Sequence, residues 1–306
     1  MSKHVAVLMG GWSNEREVSL VSGAAVAKSL AAQGHKVTTI DLSRNIAKLL
    51  AALQPRPDVV FNALHGRFGE DGVVQGLLEI LDIPYTHSGV LASALAMDKP
   101  VARRLFRDAD LNVAEGLVLT RDEVLAGDFM VPPYVIKPIN EGSSVGVRIV
   151  HGGDNAPPFE KSAWPFGDLV LIERYIPGRE IQVAVMGDRA IGAIEIRPKG
   201  EFYDYEAKYT AGKADHLMPA PLSPGVYDEA LHIGLTAHQS LGCRGVTRTD
   251  LRYDDTRSDP GKFYVLEVNT QPGMTPLSLV PEIAAHLGIT FDQLVAMIVE
   301  DASCPR

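Results

Sequence analysis

At 306 residues, 46% apolar and 22% charged, the chain is long enough for two or three domains with ample core. Its net charge of −9 and pI near 5.5 argue against nucleic acid as a main partner, and Cys243 and Cys304, far apart and without metal-ligand spacing, argue against a disulfide scaffold. No apolar run approaches the ~20 residues of a membrane span, and Met1-Ser2-Lys3-His4-Val5 enters a strand with no signal-peptide core, so a cytoplasmic enzyme is expected.

The first ninety residues read as βαβ units. Val5-Ala6-Val7-Leu8-Met9 is short and wholly apolar, as a buried parallel strand requires. Gly10-Gly11 turns the chain, Ser13 or Asn14 caps a helix, and Glu17 stands at the capping-box position relative to Asn14. Val18, Val21 and Ala25 carry the helical spacing to Gly34. Lys36–Ile40 and Asp58–Asn62 supply further strands, and Val74, Leu77, Leu78 and Leu81 a second amphipathic stripe. A small, open α/β domain results.

The spacing then predicts a helix from Asp98 to about Ala109, basic on one side through Lys99, Arg103, Arg104 and Arg107. Apart from Lys99 that side reads as a solvated face, and Trp12 as packing. Val131 to Val150 holds two strand-like runs around Asn140-Glu141-Gly142-Ser143-Ser144-Val145-Gly146, and His151 to Gly167 reads as a loop with one short helix. Strands follow at Leu169–Glu173, Glu180–Met186 and Ala190–Arg197. Glu201 to Pro221 has no period, and a segment that long without one is either disordered or a functional lid. Tyr227–Leu241 is helical, two strands carry Asp250 and Glu267, and the helix Phe291–Asp301 closes the chain.

Three stretches carry chemistry. In Leu266-Glu267-Val268-Asn269 an apolar strand delivers a carboxylate, skips one residue and delivers a carboxamide on the same face. With Asp250 nearby, these hard oxygen donors suit Mg²⁺ holding ATP phosphates. Gly142-Ser143-Ser144-Val145-Gly146 is a glycine-bracketed turn whose backbone N–H groups suit a polyphosphate, with Lys137 as a cation beside it; a plain hairpin loop is the other reading. Glu173-Arg174-Tyr175-Ile176-Pro177-Gly178-Arg179-Glu180 links two strands. It is either an exposed charged connection or a hinge whose backbone meets adenine while Glu180 reaches the ribose. No G-x-x-x-x-G-K-[ST] and no G-x-G-x-x-G after the first strand occurs, which disfavours a P-loop and a dinucleotide oxidoreductase.

Taken together, Lys99, Lys137, the Glu141–Gly146 loop, Glu173 to Glu180, Asp250, Glu267 and Asn269 resemble the ATP-grasp fold. More narrowly, the chain resembles the D-alanine–D-alanine ligase family along nearly its whole length. The motifs are Gly10 to Ser19, His65-Gly66-Arg67-Phe68-Gly69-Glu70-Asp71-Gly72, Met97-Asp98-Lys99, Tyr203-Asp204-Tyr205-Glu206-Ala207-Lys208-Tyr209, and Glu267 to Pro281. Two departures are small: Arg174 stands where many members have lysine, and Pro100-Val101-Ala102 replaces commoner polar residues, with Pro100 suited to a first helical turn.

The resemblance implies an α/β (α+β) ATP-grasp fold with a Rossmann-like open-sheet N-terminal domain, divided at 1–95, 96–178 and 179–306. It implies ATP contacts from Lys99, Lys137, Glu173, Glu180, Lys208 and the backbones of Arg174 and Ile176. Two Mg²⁺ ions, with Mn²⁺ as a substitute, would sit on Asp250, Glu267 and Asn269. Glu15, in a set with Ser143 and Tyr209, would engage the ammonium of the first D-alanine, with His65 nearby. Arg248 and the Gly273 N–H would serve the oxyanion, and Ser278 with the Leu279 backbone the second D-alanine's carboxylate. A homodimer is implied as well. Rival readings are a D-alanine–D-lactate ligase, another ATP-grasp carboxylate–amine ligase, and an inactive nucleotide-binding module. The last predicts loss of metal or phosphate ligands, which are all present.

Overall fold

Val5, Val7 and Leu8 are fully buried, as a strand covered on both faces demands. In the computed structural model, which describes residues 2–127, 129–140, 142, 146–153, 164, 166–200 and 212–305, they belong to β1 (His4–Gly10). This strand is the centre of a parallel sheet, flanked by β2 (Lys36–Leu42) and β3 (Val59–Asn62). Helix α1 (Arg16–Ala32) crosses from β1 to β2, α2 (Ile46–Ala52) follows β2, and α3 (Val73–Ile80) follows β3. The α1 start differs from the capping-box expectation. Glu15 occupies the N-cap without a side-chain cap bond, while Ser13 Oγ donates to the His65 carbonyl at 2.7 Å. Ser13 is thereby drawn into tying two loops together.

Helices α4 (Val90–Met97) and α5 (Lys99–Asp108) lead into a four-stranded antiparallel sheet. Asp98 caps α5 by accepting from the Val101 N–H at 3.0 Å, with Pro100 in the first turn, and the Lys99 N–H donates to the Ile139 carbonyl at 3.0 Å. The start of α5 is thus fixed beside the second sheet. That sheet runs β4 (Gly116–Thr120), β7 (Leu169–Arg174), β5 (Tyr134–Pro138) and β6 (Arg148–Val150). The capping box at Thr120 and Glu123 opens the short α6 (Arg121–Ala126).

The third sheet is antiparallel, in the order β10 (Ala214–Leu217), β9 (Arg189–Pro198), β8 (Arg179–Met186), β11 (Val246–Asp254) and β12 (Lys262–Asn269). Helix α7 (Pro224–Ser240) covers one face; α8 (Leu279–His286) and α9 (Phe291–Asp301) pack toward the other. Part of the aperiodic Glu201–Pro221 stretch is therefore an edge strand, β10 on β9; 201–211, with Lys208 and Tyr209, lies outside the described residues.

One apolar core joins the ends of the chain. Val5, Val7, Val59 and Phe61 of the parallel sheet pack with Val26 and Leu30 of α1 and with Ile283, Leu294, Val295 and Ile298 of α8 and α9. Among the described residues no single helix is long and apolar enough to cross a membrane. Phe61 is fully buried in this junction, so Phe61→Ala should cost about 3–5 kcal/mol. Denaturant unfolding checks this, and a midpoint equal to wild type would show that the junction bears little of the fold's stability.

Candidate active site

The two antiparallel sheets face each other across a cleft of about 470 Å³. Lys137, Glu173, Arg174, Ile176, Glu180, Asp250, Arg252 and Glu267 line it. A second, smaller cavity lies toward the parallel sheet, lined by Glu15, His65, Glu70, Lys99, Arg248, Asn269, Gly273, Ser278 and Leu279. Lys99 and Glu267 line both.

Strand register explains the shared wall. Asp250 on β11 stands opposite Glu267 on β12, and Arg248 opposite Asn269. A residue spacing of two keeps Arg248 with Asp250, and Glu267 with Asn269, on one face. The register shift between Asp250 and Leu251 falls at this point, where a bulge re-aims side chains. Each carboxylate is held by a cation: Lys99 Nζ lies 3.5 Å from Glu267 Oε2, and Arg248 grips Asp250 through Nε and Nη2 at 2.7 and 2.9 Å. Asn269 Oδ1 accepts from the Gln271 N–H at 2.9 Å. Among the described residues no group of three or more His, Cys, Asp or Glu converges as a metal site. Asp250 lines the large cleft, Asn269 the small cavity and Glu267 both, on paired strands, and the oxygen donors of that set fit Mg²⁺ or Mn²⁺ sharing its shell with phosphate oxygens and water.

On the opposite wall β5 projects Lys137, which touches the Glu173 carboxylate of β7. Burial, followed by the charge of Lys99, lowers the Lys137 ammonium to about 7. Past Arg174 the chain between β7 and β8 is pinned by Arg252, which donates to the carbonyls of Ile176 at 3.1 Å and Gly178 at 2.9 Å. The Arg174 N–H donates to the Glu115 carbonyl at 2.8 Å. Glu180 Oε1 accepts from Gln182 Nε2 at 3.3 Å and its other oxygen faces Arg252.

In the smaller cavity Glu15 is buried between two glycines. A Cβ on Gly66 would come within 2.7 Å of Glu15 Oε2, and one on Gly142 within 2.9 Å. Glu141 and residues 143–145, on either side of Gly142, lie outside the described residues. His65 is buried, with Nε2 3.2 Å from Ser22 Oγ, and burial together with the Arg248 charge lowers it to about 4, so it is neutral at physiological pH. Ser278, the N-cap of α8, takes the Thr275 N–H at 2.9 Å on its Oγ, 2.7 Å from where a Gly273 Cβ would sit. The 272–278 turn is thereby drawn tightly around the cavity floor.

Two groups at the site carried no role in the sequence reading. Glu70 is buried beside Glu15, accepts the Gly66 N–H at 3.0 Å, and is pushed well above the usual carboxylate range by burial and then by the Glu15 charge. Arg103, placed by its helix spacing on a solvated face, is 3% exposed and paired with Glu173. That corrects the reading of the basic side of α5: Arg104 and Arg107 are exposed, but Arg103 turns inward beneath the cleft.

Comparison with known proteins agrees with this architecture. The family models described as D-ala D-ala ligase N-terminus and C-terminus match residues 47–88 and 105–300. The D-alanine–D-alanine ligase of Methylocella silvestris is 59% identical, covering 100% of both chains, and that of Parvibaculum lavamentivorans is 57% identical over 100% of this chain and 99% of its own. Among solved structures, D-alanine–D-alanine ligase from Bacillus anthracis complexed with ATP superposes with a TM-score of 0.82 at 32% identity, covering 98% of this chain and 97% of that one. The VanG D-Ala:D-Ser ligase of Enterococcus faecalis gives 0.77 at 28% identity, covering 98% and 99%. With both family models matched in order and full-length relatives well above half identical, this chain belongs to the D-alanine–D-alanine ligase family.

Proposed function

We propose that this chain joins two D-alanines in an ATP-driven, ADP-forming ligation, through a D-alanyl phosphate, to supply the dipeptide of bacterial cell-wall precursors. One observation carries the reading: Lys99 and Glu267 line both the large cleft and the small cavity, so a phosphate in one and a carboxylate in the other meet at a shared wall. The proposed division is a substrate-binding domain at 1–95, a central ATP-grasp part at 96–178 and a C-terminal part at 179–306.

In the first step a carboxylate oxygen of D-alanine attacks the γ-phosphorus and ADP leaves. Both reactants are anions, so positioned cations do most of the work. Lys99 and Lys137 hold the phosphates, while Glu15, with Ser143 and Tyr209 as its proposed partners, fixes the D-alanine ammonium. Asp250, Glu267 and Asn269 would hold Mg²⁺, which supplies positive charge and Lewis acidity to the phosphate oxygens when bound. For adenine, the Ile176 N–H would donate and the Arg174 carbonyl accept, because the Arg174 N–H is already used by Glu115. Glu180 would take the ribose hydroxyls and Lys208 a phosphate, and Glu173, the counter-ion of Lys137 in the cleft wall, would contact ATP as well.

In the second step the amine of the second D-alanine, once deprotonated, attacks the acyl carbon. Arg248 and the Gly273 N–H stabilise the oxyanion. The C–O bond to phosphate then breaks, and inorganic phosphate leaves with the original carboxylate oxygen. Ser278 and the Leu279 backbone hold the second carboxylate, with neutral His65 beside the first substrate. A D-alanine labelled with ¹⁸O in its carboxylate should therefore pass label into phosphate; unlabelled phosphate would exclude the acyl phosphate.

Gly66 offers a second check. Its φ of +71° disfavours any Cβ, and the Cβ would press on Glu15. Gly66→Ala should raise the KM for D-alanine about tenfold or more while leaving the ATP Kd within about twofold. Equal loss of both would point to general unfolding. A homodimer in the cytoplasm belongs to the same proposal, and a sedimentation mass of one chain would remove the dimer from it.

A further inference from the structure

Three buried charges form a chain beneath the large cleft. Arg103 of α5 contacts the Glu173 carboxylate of β7, and Glu173 in turn contacts Lys137 of β5. Arg103 and Glu173 are each 3% exposed and Lys137 8%. Lys137 and Glu173 face the cleft, while Arg103 does not line it. Arg103 also donates to the Ala114 carbonyl, anchoring the guanidinium at the start of the second sheet. The backbone makes room for this arrangement. A Cβ on Gly116 would lie 2.7 Å from the Ile172 carbonyl oxygen, 2.9 Å from Arg103 Nη2 and 3.1 Å from Glu173 Cγ, so the absent side chain leaves room for the neighbouring strand and the cluster alike.

The charges do not cancel. Glu173 has one negative charge to share between two cations. Were Arg103 absent, Glu173 and Lys137 would form a neutral, closed pair. With Arg103 holding Glu173, the cluster carries one uncompensated positive charge whenever Lys137 is protonated, a state that burial and the charges of Lys99 and Arg103 disfavour and that a phosphate in the cleft would favour; Lys137 is the cationic member that faces the cleft. The guanidinium suits this role because it is planar, permanently charged and able to bond a carboxylate and a carbonyl together.

We propose that Arg103 is a positioning residue for the nucleotide phosphates: it neutralises Glu173 from behind, so that Lys137 is held in place yet left with its charge to offer. This rests on the reading of the cleft as the ATP site. It makes a prediction that mere support of the fold does not. The effect of removing Arg103 should disappear once Glu173 carries no charge.

The experiment is a double-mutant cycle read by ATP binding in calorimetry and by KM for ATP against kcat, on the full chain. Arg103→Met should weaken ATP about tenfold, raise KM correspondingly, and change kcat at saturating ATP much less. Arg103→Lys should return the Kd to within about threefold of wild type. In the Glu173→Gln background Arg103→Met should change the Kd less than about twofold. Equal losses in both backgrounds, or a folded Arg103→Met protein with wild-type affinity, would overturn the assignment. Arg103→Gln carries the same test if Arg103→Met does not fold. Lys137→Met separates the two levels. If it too binds ATP like wild type, the placement of ATP in this cleft fails and the proposal with it. If it weakens ATP while Arg103→Met does not, only the role of Arg103 fails.

Discussion

Glu267→Gln is expected to lower the rate of ADP release at saturating substrates by about 10²–10³-fold. The change keeps shape and removes one negative charge from the wall shared by the two cavities. That charge is proposed to hold a metal ion, and Lys99 Nζ lies 3.5 Å from it. Losing it weakens the metal site and leaves Lys99 without the carboxylate it pairs with. Glu267 is only partly buried, its side chain 29% exposed, so the fold should tolerate the change. A melting temperature within a few degrees of wild type, alongside the lost rate, is the predicted pair of results. A rate within tenfold of wild type would remove Glu267 from the metal site.

Arg248→Met should cost a similar factor, about 10²–10³ in kcat, for a different reason. Arg248 is proposed to face the oxyanion, and in the structure it holds Asp250 through two parallel bonds. Arg248→Lys should restore little, because a single ammonium cannot reproduce a planar two-point grip. Two explanations of the loss can be separated by titrating Mg²⁺. If Arg248 acted only by orienting Asp250 for the metal, excess Mg²⁺ would recover the rate. The oxyanion role predicts that a large deficit persists at saturating Mg²⁺.

The sequence was legible where local pattern and tertiary role agree. The all-apolar β1, the N-capped α5 with Pro100 in its first turn, and the spacing of Glu267 with Asn269 all follow from rules of one strand or one helix. What periodicity could not report is what lies opposite. The charge pattern of α5 is that of a solvated helix, and nothing near Arg103 in sequence announces Glu173, which approaches from a strand seventy residues later. Glu70 was equally silent, because an acid in a glycine-rich loop has no period to betray burial. The seven-residue α2 and six-residue α6 offer too few turns for a stripe to show, while α4 and α8, as long as α3, carry small or apolar residues around most of the helix and so show no clear stripe. The edge strand β10 is half-exposed along its length and so lacks alternation. Ser143, Lys208 and Tyr209 were read from motifs and lie outside the described residues.

That the two cavities work on D-alanine and ATP together is the proposed function. Its most direct test is ADP and phosphate release with Mg²⁺, recorded with product masses, for D-alanine, L-alanine, D-alanine with D-lactate, and D-alanine with D-serine. Turnover on D-alanine alone, yielding the mass of the dipeptide, with L-alanine inert, is the predicted result. ADP formed only when D-lactate, D-serine or another nucleophile is present, with no D-alanine dipeptide, would contradict it and reassign the second subsite around Ser278.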